Sequence, residues 1–256
     1  MSGDDLLYQV AQGVASFTIN REPQRNAISA DVVRLFFKYL DEAEEDPNVR
    51  VILITGAGDK AFCSGADLSG SPGGENQDGF GHYANLLKRI AGYPKPVVAK
   101  VNGYCLAGGM GFMLACDIVI ASDTAKFGTP EVNVGLWPMM IGAVIFRNAM
   151  RKKAMEMVLL GEKLTADQAV EMGLITRAVP QDRLEEEVGR VLQSLTSKSP
   201  IGMKIGKEAF YSMADMPFEE ALDYLSGKIA EVAATEDARE GITAFIEKRK
   251  PEFRGK

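Results

Sequence analysis

The chain is poor in the residues that most often announce a chemistry. Its 256 residues include one histidine, His82, one tryptophan, Trp137, and three cysteines, Cys63, Cys105 and Cys116. A single imidazole excludes a metal centre built from several histidines. No two cysteines stand in C-x-x-C spacing, and an odd count in a chain of this size fits a reducing compartment better than a disulfide framework. No apolar run approaches the roughly 20 residues of a membrane span. Asp4 and Asp5 stand where a secretory leader would carry positive charge. The expected location is therefore the cytoplasm, or an organelle matrix after processing, with no membrane partner. Basic residues are also in deficit, 29 against 35 acidic, for a net charge of −6. That balance argues against a nucleic-acid groove, so any anionic ligand has to be held by local groups. What is present is ordinary for a globular protein: 46% hydrophobic and 25% charged residues, enough for one large domain or one domain with a small appendage.

Short β-type runs recur through the first half, at Val14–Ile19, Val51–Thr55, Pro96–Val101 and Asp117–Ala121. Helical patterns fit between them. The clearest runs from Ser29, a cap for the free amides, to Glu45, with Val32, Val33, Leu35, Phe36 and Leu40 as its apolar stripe and Asp46-Pro47 as its stop. Strands alternating with helices predict an α/β layered fold. The uninterrupted Val51–Ile54 run predicts a strand covered on both faces. After Arg147 helices dominate: a capping box at Thr165-Ala-Asp-Gln168 opens one ending near Gly173, and Asp182–Leu195, Ile201–Met213, Pro217–Ala234 and Glu236–Lys248 continue the series. Ser197-Lys-Ser-Pro200 is the expected boundary, dividing residues 1–196 from a C-terminal helical region, 197–256. The glycine-rich stretch from Ser69 to Gly79 reads as a loop beside the site, followed by a helix over Gly81–Ala91.

Two strands are each followed by a glycine-bearing segment, Gly56 to Leu68 and Asn102 to Gly111. In the second, Gly108 and Gly109 would lie at a helix N-terminus, where free N–H groups favour developing negative charge. Tight packing of helix on sheet explains either segment alone equally well; two such segments after neighbouring strands favour a pair of amides gripping an oxyanion. A dinucleotide site also fits formally, because Gly56-x-Gly58-x-x-Ala61 follows an apolar strand. The residues after it, Phe62-Cys-Ser-Gly-Ala-Asp-Leu-Ser-Gly-Ser-Pro, cannot sustain the helix such a site requires.

Read in order, Arg25-Asn-Ala-Ile-Ser29, Ala61-Phe-Cys-Ser-Gly-Ala-Asp-Leu68, Lys95-Pro-Val-Val-Ala-Lys-Val-Asn-Gly103, Ala107-Gly-Gly109, Cys116-Asp117, Phe127-Gly-Thr-Pro-Glu131 and Lys248-Arg-Lys-Pro-Glu-Phe253 resemble the enoyl-CoA hydratase/isomerase, or crotonase, superfamily along essentially the whole chain. The resemblance implies a spiral of β-β-α units with a C-terminal helical trimerisation region, and self-association as a trimer or hexamer. It implies an acyl-CoA thioester as substrate, with coenzyme A part of that substrate, no separate cofactor and no metal. The amides of Ala66 and Gly108 become the oxyanion hole. Arg25, Ala27, Ser64, Asp67 and Leu68 become contacts to substrate or coenzyme, and Lys248 or Arg249 reaches the coenzyme phosphates unless the tail is an ordinary solvated charge run. Met110, Gly111, Trp137 and Met139 become the acyl pocket.

The catalytic acids depart from the family pattern. Hydratases of the family carry two glutamates twenty positions apart; the second matches Glu131, and the first position holds Gly111. Isomerases of the family use one carboxylate at the Glu131 position to shuttle a proton from the α to the γ carbon. The extra acid of dienoyl isomerases falls on Met139. Glu131 is therefore the expected acid/base, isomerase or hydratase the expected activity, and Gly111 is expected to leave space for a substrate group or water. Decarboxylation, thioester hydrolysis, or acyl-CoA binding without turnover are the other readings the resemblance allows. Asp117 is expected to be structural, His82 to lie on the surface or the pocket wall, and Cys63 to be packing rather than a nucleophile.

Overall fold

The computed structural model describes residues 4–67 and 77–256. It opens with a hairpin, β1 (Leu6–Ala11) and β2 (Val14–Ile19), turned by Gln12 and Gly13 at φ of 51° and 81°. Two consecutive positive φ values match the twist of the flanking strands. Ser29 then caps α1 (Ala30–Glu45): its hydroxyl accepts the Val32 N–H at 3.1 Å, and the helix ends ahead of Pro47.

Three turns of a β-β-α spiral follow. The first is β3 (Val51–Gly56), β4 (Ala61–Cys63) and α2 (Gln77–Ala91). The second is β5 (Val97–Val101), β6 (Tyr104–Leu106) and α3 (Gly108–Leu114). The third is β7 (Ile118–Ser122), β8 (Lys126–Gly128) and, after a 3₁₀ turn over Pro130–Val134, α4 (Met139–Asn148). The chain continues through α5 (Arg151–Leu160), β9 (Leu164–Thr165), α6 (Ala166–Glu171), β10 (Arg177–Val179), α7 (Leu184–Thr196), α8 (Pro200–Met213), α9 (Phe218–Ala233) and α10 (Glu236–Ile246). The first strand of each turn enters a large sheet ordered β1-β2-β3-β5-β7-β10, parallel from β2 onward. The second enters a small sheet ordered β4-β6-β8-β9, in which β4, β6 and β8 run parallel.

This arrangement explains the unbroken apolar run in β3, every residue of which is buried. Ile52 and Ile54 face the main core with Phe17 and Phe36, while Val51 and Leu53 pack with Leu184, Val188 and Val191 of α7. Strands covered on both sides have no wet face to alternate with. The short strands β4, β6 and β8 and the edge strand β1 go beyond the runs read from sequence. Helix α2 begins at Gln77, four residues ahead of the expected Gly81. Of the glycine-rich stretch 69–79, residues 77–79 belong to that helix, and the rest lies outside the described residues. No helix among the described residues is long and apolar enough to cross a membrane.

Residues 197–199 join α7 to α8, whose N-terminus Ser199 caps by accepting the Gly202 N–H. Helices α8, α9 and α10 pack on one another and are tied back to the core by polar contacts. Arg50 donates to the carbonyls of Thr196 and Phe253, and Asp237, 2% exposed, accepts from Ser199 and from the Arg254 and Gly255 amides. Asp117 has the structural role its sequence setting indicates: Oδ2 accepts the Val97 N–H at 2.7 Å and pairs with Lys207 Nζ at 2.6 Å, and Oδ1 accepts from Tyr211. Removing the Asp117 carboxylate takes away this partly exposed ion pair and two further hydrogen bonds, so Asp117→Ala should lower the unfolding free energy by about 2 kcal/mol. Urea denaturation measures it, and a loss below about 1 kcal/mol would show that the pair is effectively solvated.

Candidate active site

Because β4, β6 and β8 are parallel neighbours, their C-terminal ends share one edge of the small sheet. Cys63 pairs with Cys105 and Cys105 with Phe127 across the rungs. The segments leaving those ends carry Ala66, Gly108 and Glu131, so the fold brings together three residues spread over 65 positions of sequence.

After β4 the chain makes a bridge between Ala66 and Ile28: the Ile28 N–H donates to the Gly65 carbonyl at 2.8 Å and the Asp67 N–H to the Ile28 carbonyl at 3.0 Å. Successive amides in extended chain point to opposite sides. The Ala66 N–H therefore turns away from Ile28, and it has no partner among the described residues. Gly65 sits at φ 102°, and a Cβ there would stand 2.7 Å from the Ala107 Cβ. After β6, Ala107 takes φ 49°, ψ −125° with its N–H on the Gly128 carbonyl. That backbone costs a non-glycine residue of order 1–3 kcal/mol and is typical of functional sites. It starts α3 at Gly108, whose N–H, the first of the helix, likewise has no partner among the described residues. The two glycines differ: the Gly108 amide has no partner among the described residues, whereas Gly109 is packed against Cys63, whose Cβ would lie 2.9 Å from an added Cβ.

After β8, Glu131 is half-buried, and its Oε2 is buried with no hydrogen-bond partner among the described residues. Burial raises its carboxyl above the ordinary 4.5, against a smaller opposing contribution from its own backbone N–H. Its charge is felt at the hydroxyl of Tyr83, which donates to the Gly108 carbonyl at 2.5 Å. Tyr83 was not singled out by the sequence, and it corrects the expectation of open space at Gly111. A Cβ on Gly111 would collide with the Tyr83 hydroxyl and stand 2.7 Å from Ile141 Cγ2.

The remaining residues divide. Arg25 and Asn26 are both left-handed, at φ 52° and 57°, and the buried Asn26 amide donates to the Ala57 and Ala61 carbonyls, fixing the 25–28 segment beside β4. Ser64 donates its N–H to the Arg25 carbonyl. Ala27 is buried, its N–H on Gln24 and its carbonyl on Arg21. Asp67 pairs with Arg21 at 2.7 Å, which anchors the chain next to Ala66, and Arg21 also pairs with Asp5. Leu68 lies outside the described residues. Of the four expected acyl-pocket residues, Met110 and Gly111 are buried, while Trp137 and Met139 are 45% and 73% exposed. Lys248 is exposed beyond α10. Basic groups gather elsewhere, in a cavity of about 290 Å³ lined by Arg25, Lys60 and Lys126 with Asp59, Gly103, Tyr104 and Thr124. Lys60 directly precedes the Ala61–Leu68 motif, and that adjacency is the signal that could have found it.

His82 is exposed, and Cys63 is buried with its thiol pushed up to about 12 by that burial, so the two do not form a nucleophile and base. After Gly58 the chain enters β4 rather than a helix, which removes the geometry a dinucleotide pyrophosphate needs. Among the described residues no three His, Cys, Asp or Glu side chains converge where a metal ion could sit.

Comparison with known proteins agrees with this fold. The family model described as enoyl-CoA hydratase/isomerase matches residues 9–256, and the chain belongs to that family. It is 34% identical to the short-chain-enoyl-CoA hydratase of Clostridium acetobutylicum, over 93% of each chain. It is 34% identical to the mitochondrial enoyl-CoA hydratase domain-containing protein 3 of Xenopus laevis, over 95% of this chain and 84% of that one. The crystal structure of an enoyl-CoA hydratase from Bacillus anthracis superposes with a TM-score of 0.94 at 31% identity, covering 98% of this chain and all of that one.

All three cysteines are buried, and burial raises each thiol. Titration with a thiol-reactive disulfide at neutral pH should therefore count none in the native protein and three after unfolding. A fast-reacting thiol in the native state would contradict the packing of β4 on β6.

Proposed function

We propose that the protein transforms acyl-CoA thioesters through an enolate held by the Ala66 and Gly108 amides, with Glu131 as its one acid/base, and that its leading activity is isomerisation of an enoyl thioester. The observation that carries this reading is the buried Glu131 oxygen on the same sheet edge as two amides, all three without a partner among the described residues. Glu131 takes a proton from the α carbon of a 3-enoyl thioester. The electrons move onto the thioester oxygen, where two fixed N–H donors in a dry site are each worth several kcal/mol. The same proton returns at the γ carbon, so the reaction balances with no co-reactant and no cofactor beyond the coenzyme. Hydration by the two-carboxylate route needs a second acid to hold water, and residue 111 supplies none. The hydratase names of the relatives support thioester binding and make hydration the reading to test against.

The cavity bordered by Arg25, Lys60 and Lys126 suits the coenzyme phosphates on a chain whose net charge is negative. Lys248 is proposed as a further phosphate contact from the tail. Self-association as a trimer or hexamer is supported by the large apolar side chains exposed on the C-terminal helices, among them Phe210, Phe218, Ile229, Phe245 and Ile246. Sedimentation should give a trimeric or hexameric mass at micromolar concentration, and a stable monomer would remove that part of the reading.

The decisive experiment is turnover of a panel of 2-enoyl, 3-enoyl and malonyl-type CoA thioesters, followed by mass and absorbance. Glu131→Gln should lower kcat by about 10²–10⁴-fold and leave thioester affinity within a few-fold. A base works only when ionised, so kcat/KM should fall as pH drops through the raised Glu131 pKa, placing the acid limb above 4.5. An unchanged kcat in Glu131→Gln would assign the base elsewhere.

A further inference from the structure

Tyr83 belongs to α2, yet its side chain ends at the first turn of α3. The hydroxyl donates to the Gly108 carbonyl, and the ring packs on Phe112 with 5.5 Å between centroids. The same oxygen occupies the place of a side chain at residue 111, so the glycine there is what lets a phenol reach the Gly108 carbonyl. An acid at 111 and this hydroxyl at 83 exclude one another. Burial keeps the phenol protonated, well above its ordinary 10.0, and a negative charge on Glu131 acts in the same direction. A neutral hydroxyl whose single proton is committed to a backbone carbonyl is suited to holding that backbone. On the other side of Gly108 stands Ala107 in its high-energy conformation, so residue 108 is held between a strained neighbour and a hydrogen bond.

We propose that Tyr83 is a positioning residue for the thioester site: its hydroxyl fills the space a side chain at 111 would take and holds Gly108 so that its N–H faces the substrate carbonyl. The proposal rests on the thioester reading above. It also means that substitution at 111 alone cannot install a second acid, because the position is already filled.

The test compares butanoyl-CoA, a saturated thioester, with S-butyl-CoA, the thioether in which a methylene replaces the carbonyl, titrated calorimetrically against the full chain. Tyr83→Phe keeps the ring and removes only the hydroxyl. It should weaken butanoyl-CoA binding roughly tenfold, the scale of one hydrogen bond, and leave S-butyl-CoA binding unchanged. Equal weakening of both ligands, or of neither, overturns the proposal. If the unmodified protein itself shows no preference for the thioester, the functional reading falls with it; a preference that survives in Tyr83→Phe overturns the role of Tyr83 alone. The shared space has its own readout in thermal unfolding. Gly111→Ala should lower Tm less in the Tyr83→Phe background than in the unmodified protein, and equal losses would show that the hydroxyl does not compete with a side chain at 111.

Discussion

Everything at the site depends on the parallel register of β4, β6 and β8. Parallel neighbours put like ends together, so the residues following three short strands meet at one edge whatever their separation in sequence. The large sheet makes this possible without sharing in it. Its strands β3, β5 and β7 are buried on both faces and fix the pitch of the spiral, and each then passes the chain to the next strand of the small sheet. The division suits the physics of both layers. Strands β3, β5 and β7 are apolar but for Thr55, Lys100 and Ser122, whereas the small sheet leads into the Ala66 and Gly108 amides, which have no partner among the described residues.

The polar contacts around that edge hold backbone. Asn26 ties the segment beside β4 to the loop before it, Arg21 ties Asp67 to the N-terminal hairpin, and Ala107 and Gly65 interlock because one has a Cβ where the other has none. Asp117 serves the same end at a distance, joining α8 to the start of β5 in the large sheet. Ala27 and Asp67, expected as ligand contacts, are held by Arg21 and so help fix where Arg25 and Ala66 lie.

The elements legible in the sequence were those whose signals are local. Ser29 followed by an apolar stripe and Asp46-Pro47 marks both ends of α1, the capping box at Thr165 starts α6, and the β-branched run at Val51 can only be a covered strand. The small-sheet strands have three residues each where they count, too few for any period to show. The edge strand β1 is mostly exposed, so it lacks the apolar run that identified its neighbours. The site divides in the same way. Motifs pointed to the proposed amides at 66 and 108 and the proposed acid at 131, but Tyr83 and Gly111 lie on different helices, and nothing in either segment indicates that one fills the other's space.

In the proposed reaction the three strand ends carry separable tasks, with the grip on a carbonyl at two of them and proton transfer at the third. A change at the third rung, or in the helix packed behind it, can redirect a reaction while the grip is inherited intact. Divergence in such an architecture is expected to be slow in the amide-bearing segments and fast around the acid. Overall identity to a hydratase then measures descent of the thioester clamp, and the identity of the reaction is written in a handful of positions that contribute almost nothing to that percentage.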